Sequence, residues 1–387
     1  VPAGRYLNLK TERQVLKDLF NGKFILSSNR LAWIDYARGV CIILVCFRHC
    51  MEGMKQAGLP LYNYPALEVL NICFYSFRMP LFFIISGLFL SSGLVKKGLG
   101  NYVNSRFKIV FYPLLVWGSI QITMQFLMRS YVNAHREPVD YLNLIINPRR
   151  IEQFWYLNAL FFVGALYALV KMAFRLNHWQ QLVLGMIFYT IAGMLRFTET
   201  NGYLLTDILN YYIYFCIGDI ISGYLLGKKN KKSMITAPSW LLASFIIFLA
   251  SQYLYTIINI RHNSDFYVGD KLPALAFFIS LCGCAFTIQM SFLLQRLSVL
   301  KWLRIIGYHS LYIYLAHVMV IAAVRIFLVY VLHITSVPMI LVPAMLAGIL
   351  LPVLLYNVAV RLGAWWLFSL KKPVDEINFH SQKIALV

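Results

Sequence analysis

From Leu31 onward the chain is a series of long apolar runs parted by short polar stretches. An apolar run of roughly 17–25 residues crosses a bilayer as a helix, because a helix satisfies its own backbone polar groups in hydrocarbon. The runs predict about ten such helices. They centre near Val40, Ile84, Val116, Gly164, Phe188, Phe215, Phe245, Ala285, Met319 and Leu351. The expected fold is therefore all-α, a polytopic membrane helix bundle. The fifth run, between Gln181 and Leu195, is short for a span, and the tenth contains Pro343 and Pro352, which predict a kink. Periodicity within the runs adds little, since lipid-facing and buried faces are both apolar.

The first run breaks the pattern. Leu31–Met51 reads LAWIDYARGVCIILVCFRHCM and carries Asp35, Arg38 and His49. Ionisable groups inside a membrane are costly and mark a pathway or a reaction centre. At about 100° per residue, Arg38 and His49 differ by only about 20°, and Asp35 lies within about 60° of both. These three predict one polar stripe facing an internal cavity, with Arg48 on a different side. The rise from Arg38 to His49 is about 16 Å. The two therefore grip separate parts of a long ligand, or Arg38 organises the approach to His49. Asp35 is placed to hold Arg38 as a helical pair.

Composition bounds the class. Of 387 residues, 60% are hydrophobic and 13% charged, and the mean hydropathy is +0.67. No soluble domain hides that much apolar surface. The net charge of +20 resembles a nucleic-acid signal, but topology accounts for it without a nucleic-acid partner. With an even number of spans both termini share a side. Most Lys and Arg outside the spans fall there, most densely at Lys228-Lys229-Asn230-Lys231-Lys232. The positive-inside rule then places both termini in the cytoplasm. The same cluster suits anionic membrane lipids. Seven cysteines lie in apolar segments without paired spacing and read as small core residues.

Residues 1–30 form a polar cytoplasmic leader without a secretory pattern. Leu7, Val15, Leu16, Leu19 and Phe20 make one face of a short interfacial helix there. Residues 31–370 are the membrane domain and 371–387 a cytoplasmic tail. The connections Arg129–Gln153 and Asn259–Pro273 are long enough to shape a binding mouth.

Four segments carry candidate chemistry. His49 is the leading base, since a neutral imidazole takes a proton from a hydroxyl near neutral pH. In Phe77–Gly87, FRMPLFFIISG, Pro80 breaks a helix and Gly87 permits close backbone approach. Arg78 beside the break either serves a ligand or caps the freed carbonyls. In FWYLNALF, Trp155 and Tyr156 offer a stacking surface for a sugar ring or an interfacial aromatic belt, and Asn158 is a polar group one turn further in. In GYHSLYIYLAH, His317 reaches mid-membrane as a second proton carrier, a ligand-orienting group or a satisfied core histidine, while His309 lies near the cytoplasmic surface. No two histidines have zinc-ligand spacing with a carboxylate, so no metal is expected.

Together these segments resemble the acyltransferase-3 family of integral-membrane O-acyltransferases, over nearly the whole stretch from Leu31 to Phe368. The resemblance rests on Asp35, Arg38-Gly39 and His49 in the first span and on Met79 to Gly87. It is extended by Arg106, Lys108 and Pro113, by Trp155-Tyr156-Leu157, and by Ser310, Tyr314, Leu315 and His317. Arg78 departs from it, standing where the family often has His. No esterase-like domain follows the last span, as in stand-alone members.

The resemblance implies transfer of an acyl group, commonly acetyl, from cytoplasmic acyl-coenzyme A. The acceptor would be a hydroxyl of a cell-surface or lipid-linked carbohydrate, in a multi-pass plasma (inner) membrane protein. His49 would be the base, with Arg38 and Asp35 in the catalytic group. Arg38, Arg106 and Lys108 would meet the donor's nucleotide end. Trp155, Tyr156, Asn158, His317 and Arg78 would face the substrate, Asn158 and His317 as candidate oxyanion donors. A transporter of a glycan or lipid-linked intermediate would use the same polar stripe, but no internal repeat supports it.

Overall fold

A computed structural model describes residues 20–27, 30–200, 202–227 and 235–372. The Lys228–Lys232 cluster and the leader face at Leu7–Leu19 lie outside the described residues. The described chain is all-α, with no strand.

The long helices are α1 (Ala32–Gln56), α2 (Pro65–Cys73), α3 (Tyr75–Gly87), α4 (Leu90–Arg106), α5 (Tyr112–Leu127), α6 (Trp155–Ala173) and α7 (His178–Phe197). They continue as α8 (Tyr203–Leu226), α9 (Pro238–Arg261), α10 (Pro273–Leu297), α11 (Lys301–Tyr308), α12 (Ser310–Ile326) and α13 (Val337–Arg361). Each of the ten predicted runs falls on one of these helices. Among the described residues, eight helical segments are long and apolar enough to cross a membrane. The other two runs are α1, which carries Asp35, Arg38, Arg48, Glu52 and Lys55, and α7, which opens on His178, Gln180 and Gln181. The fifth run, short in sequence, is a full 20-residue helix, opened by a reciprocal capping box between Asn177 and Gln180.

Helices α1 and α3 occupy the centre. α1 packs against α3, α10, α11, α12 and α13, and α3 against α8 and α10. The α2–α3 span is 72% buried within the protein, whereas α9 is 22% buried and forms an outer wall. Two close approaches set this geometry. A Cβ at Gly307 would strike the backbone carbonyl of Asp35, and one at Gly87 would strike that of Phe215. Glycine at these positions lets α11 lie against α1 and α3 against α8. All seven cysteines are free thiols, five of them buried.

Proline behaves differently from expectation. Pro80 sits inside α3, and the helix break lies earlier, at Phe74 between α2 and α3. Pro80 has no N–H for the Ser76 carbonyl, but the Ser280 hydroxyl stands 2.9 Å from that carbonyl and shares its proton between it and the Ala276 carbonyl at 2.7 Å. A neighbouring helix thus supplies the missing bond and the helix runs on. Pro343 and Pro352, where the sequence predicts a kink, both lie within the single helix α13.

Candidate functional site

The last turns of α1 present Val45, Arg48, His49, Glu52, Gly53 and Gln56 to one cavity of about 650 Å³. Their spacing of three and four is one helical face. Arg48 therefore shares the face of His49, contrary to the sequence expectation. Helices α3 (Tyr75, Arg78, Met79), α5 (Gln121, Met124, Gln125), α12 (Tyr314, Met319, Ala322, Arg325) and the segment Arg149–Trp155 close the other walls.

Nδ1 of His49 stands 3.1 Å from Oε2 of Glu52, one turn further along α1. Arg48 Nε donates to the other carboxylate oxygen at 2.6 Å and Arg48 Nη1 to Asp265 at 2.8 Å. Glu52 is thus fixed from one side and faces His49 with the other. A proton on Nδ1 leaves Nε2 as the lone-pair nitrogen.

His317 is fully buried, with its ring 5.1 Å from that of His49. Its Nδ1 lies 3.0 and 2.9 Å from the Ile313 and Tyr314 carbonyls. Carbonyls only accept, so Nδ1 carries the proton and Nε2 is the lone-pair nitrogen, buried without a partner. His317 therefore has no N–H to offer an oxyanion. Nor does Asn158, whose amide donates to the Leu144 and Ile145 carbonyls and so pins the short helix Asp140–Ile146. Asn158 does not line the cavity. In that connection Asp140 is buried, which raises its pKa; the Asn143 amide, the Glu137 N–H and Arg150 outweigh this and hold it below the usual carboxylate range.

On the far wall, Glu152 accepts from Gln121 (3.2 Å), Gln125 (3.1 Å) and Arg136 (3.0 Å). Its φ of 52° with ψ of −119° is a conformation that favours glycine and that other residues hold only where their surroundings enforce it. Arg149 makes a forked pair with Asp207, the closest contact 2.6 Å, and lies 4.4 Å over the Trp155 ring. Trp155 lines the cavity. Arg78 lines it too, donating to the Leu44 carbonyl at 3.1 Å and lying 4.7 Å over Tyr75.

Arg38 and Asp35 are not at this cavity. A layer of rings lies between: Tyr156 is 5.5 Å from Phe82 and 5.1 Å from Tyr314, and Tyr314 is 5.7 Å from His317. Beyond it, Asp35 is buried with Arg30 at 3.7 Å, and no ion pair joins it to Arg38 among the described residues. Arg38 and Arg106 both act electrostatically on the Tyr156 hydroxyl. Arg106 donates to Tyr102 at 3.2 Å. Lys108 contributes its carbonyl, which receives the Leu370 N–H at 3.1 Å. His309 is buried, its Nδ1 2.8 Å from the Ile305 carbonyl.

Glu52, Gln121, Gln125, Arg149, Glu152 and Arg325 also line the cavity and are not among the residues that the sequence pattern singles out. Glu52 lies one residue past the segment taken as the span. The spacing His49-x-x-Glu52 was the available signal. The others reach the cavity through tertiary packing alone.

A chamber with charged groups set in largely apolar walls, sunk into a membrane-embedded helical bundle, defines an integral-membrane protein with room for a ligand. The chain belongs to the acyltransferase-3 family: residues 31–357 match Acyl_transf_3, an acyltransferase domain. It is a membrane acyltransferase. Among curated proteins it is similar to the nodulation protein NolL of Mesorhizobium japonicum, 25% identical over 278 residues that cover 70% of each chain. The nodulation protein NolL of Sinorhizobium fredii is 23% identical over 274 residues, 69% of this chain and 70% of that one. No solved structure matches the chain.

Proposed function

We propose that this protein moves an acyl group, acetyl in the simplest case, from cytoplasmic acyl-coenzyme A to a hydroxyl of a cell-surface or lipid-linked carbohydrate, with His49 as general base. The observation that carries this reading is the 3.1 Å approach of His49 Nδ1 to Glu52. It leaves Nε2 for the acceptor hydroxyl. Nε2 takes the hydroxyl proton as the oxygen attacks the thioester carbonyl. The C–S bond then breaks, and the departing thiolate recovers a proton from Nε2. Glu52 stabilises the imidazolium formed between these steps. His317 packs beside the base and limits where its ring can turn.

The donor enters from the opposite end of the bundle. Arg38 and Arg106, with Lys108 nearby in sequence, supply cationic groups for the phosphates of its nucleotide end. Its thioester reaches His49 by passing Tyr156 and Tyr314, so those rings move on donor binding. Trp155 supplies aromatic surface on the acceptor side of this layer, and Tyr156 belongs to the layer itself. The termini lie in the cytoplasm of a plasma (inner) membrane protein, on the side that holds most of the Lys and Arg outside the spans. Membership of an acyltransferase family favours bond transfer over mere translocation.

The test uses membranes containing the protein, incubated with radiolabelled acetyl-coenzyme A. Wild type is expected to label a glycan fraction, and His49→Ala to abolish labelling while remaining folded and inserted. Undiminished labelling by that variant removes His49 as base.

A further inference from the structure

We infer that the cavity around His49 contains an anion site at Arg325 that binds a carboxylate or phosphate on the acceptor. The inference deepens the reading above and rests on it for the word acceptor. The anion site itself follows from the charges alone.

Four arginines line the cavity, and they divide into two kinds. Arg48 has carboxylates at 2.6 and 2.8 Å, from Glu52 and Asp265, and Arg149 has Asp207 at 2.6 Å. Glu152, the other carboxylate on the wall, is taken by Arg136 at 3.0 Å. Arg78 and Arg325 have no carboxylate within ion-pair distance among the described residues. Both are nearly sequestered, at 4% and 6% exposure. Each donates to one backbone carbonyl, Arg78 to Leu44 and Arg325 to Gly53 at 2.6 Å. Nε of Arg325 is buried with no partner at all.

Those carbonyls do not need a guanidinium. That of Gly53 already accepts the Ala57 N–H at 3.2 Å and the Asn133 amide at 3.2 Å. That of Leu44 lies in the interior of α1, where the helix ladder supplies a donor. A guanidinium keeps its proton and has five N–H donors to place. Burying one with no carboxylate in direct contact is unfavourable, and the imbalance is relieved by an anion arriving with the ligand. A carboxylate or a phosphate accepts a forked pair of N–H bonds from such a group. The acceptor class that fits is a saccharide bearing one of these anions, either a uronic-type carboxylate or a sugar phosphate.

The experiment measures binding rather than turnover, so it is independent of whether His49 is the base. The protein is held in nanodiscs of neutral lipid. Its affinity is measured for three matched probes: cellobiose, cellobiouronic acid and cellobiose 1-phosphate. The expected result is at least tenfold tighter binding of one or both anionic probes. Which one binds tighter identifies the source of the anion. Arg325→Gln is expected to erase most of the preference, and Arg325→Lys to retain part of it. Rising salt should reduce it.

Equal affinity for all three probes by wild type overturns the inference, including no detectable binding of any at millimolar concentration. So does a preference that survives Arg325→Gln. If a glutamine variant fails to fold, the wild-type comparison still decides. Failure of the catalytic reading shows separately, as acyl transfer retained by His49→Ala alongside an intact preference for anionic probes.

Discussion

Nδ1 of His49 and Oε2 of Glu52 stand 3.1 Å apart on consecutive turns of α1, and the same carboxylate receives Arg48 at 2.6 Å. The arrangement orients a base through a fixed acceptor, and the charge on Glu52 matters most when His49 carries a proton. Glu52→Gln keeps an oxygen for Nδ1–H and loses that charge. It should lower kcat by up to about 10⁴-fold, the cost of the corresponding change behind the histidine of a Ser-His-Asp triad. KM for the acceptor should change little, because the interaction strengthens during the chemical step. An acceptor KM that rises while kcat holds would reassign Glu52 to substrate binding.

Arg38 acts on Tyr156 of the Tyr156–Tyr314 ring layer and does not line the cavity that holds His49. A role in holding the donor therefore separates cleanly from a role in the chemistry. Arg38→Ala should raise the dissociation constant for acetyl-coenzyme A by about ten- to a hundredfold, as expected for losing a charge-assisted hydrogen bond of about 1.5–3 kcal/mol. Acceptor affinity should be unchanged. Unaltered donor binding to the purified protein would exclude the assignment.

How much of this was legible depends on whether a feature is local. Each apolar run became a helix because lipid leaves the backbone no other partner. His49 stood out because imidazole is rare in such a run. The stripe was misjudged because it was drawn through Asp35, Arg38 and His49, whereas the cavity face is Val45, Arg48, His49, Glu52, Gly53 and Gln56. A face that begins near mid-helix and runs past the apolar segment is invisible to a search confined to that segment. Pro80 was read as a break because the sequence gives no sign that Ser280 would reach its orphaned carbonyl. Glu152, Arg149 and Arg325 arrive from distant segments, and no spacing encodes that.

The contact of α11 with α1 depends on Gly307, where an added Cβ would meet the Asp35 carbonyl. Backbone cannot yield as a side-chain tip does, so Gly307→Ala should destabilise by about 1–3 kcal/mol through overpacking. Gly223 in α8 is the matched control, since a Cβ there meets nothing within 4 Å. Gly223→Ala should be neutral or stabilising by up to about 1 kcal/mol from helix propensity. Thermal unfolding of both variants in detergent checks the pair, and equal melting temperatures would refute the packing argument.

Asp219 on α8 has a fully buried carboxylate held from three other helices. Lys171 and Tyr167 of α6 reach it at 2.6 and 2.9 Å, Ser91 of α4 donates to it, and His178 of α7 stands at 3.2 Å. No residue of this cluster lines the cavity around His49, so its role is to join four helices. Removing one partner of a buried pair leaves the other charge uncompensated, and Asp219→Ala should cost about 3–5 kcal/mol. The double substitution Lys171→Met, Asp219→Leu removes both charges together and should recover most of that loss. Unfolding free energies of Lys171→Met, Asp219→Leu and the double, each against wild type, give the coupling energy. Acyl transfer per folded molecule should stay near wild type in the double variant. A double variant as unstable as the sum of the singles would show that the ion pair is not what binds these helices.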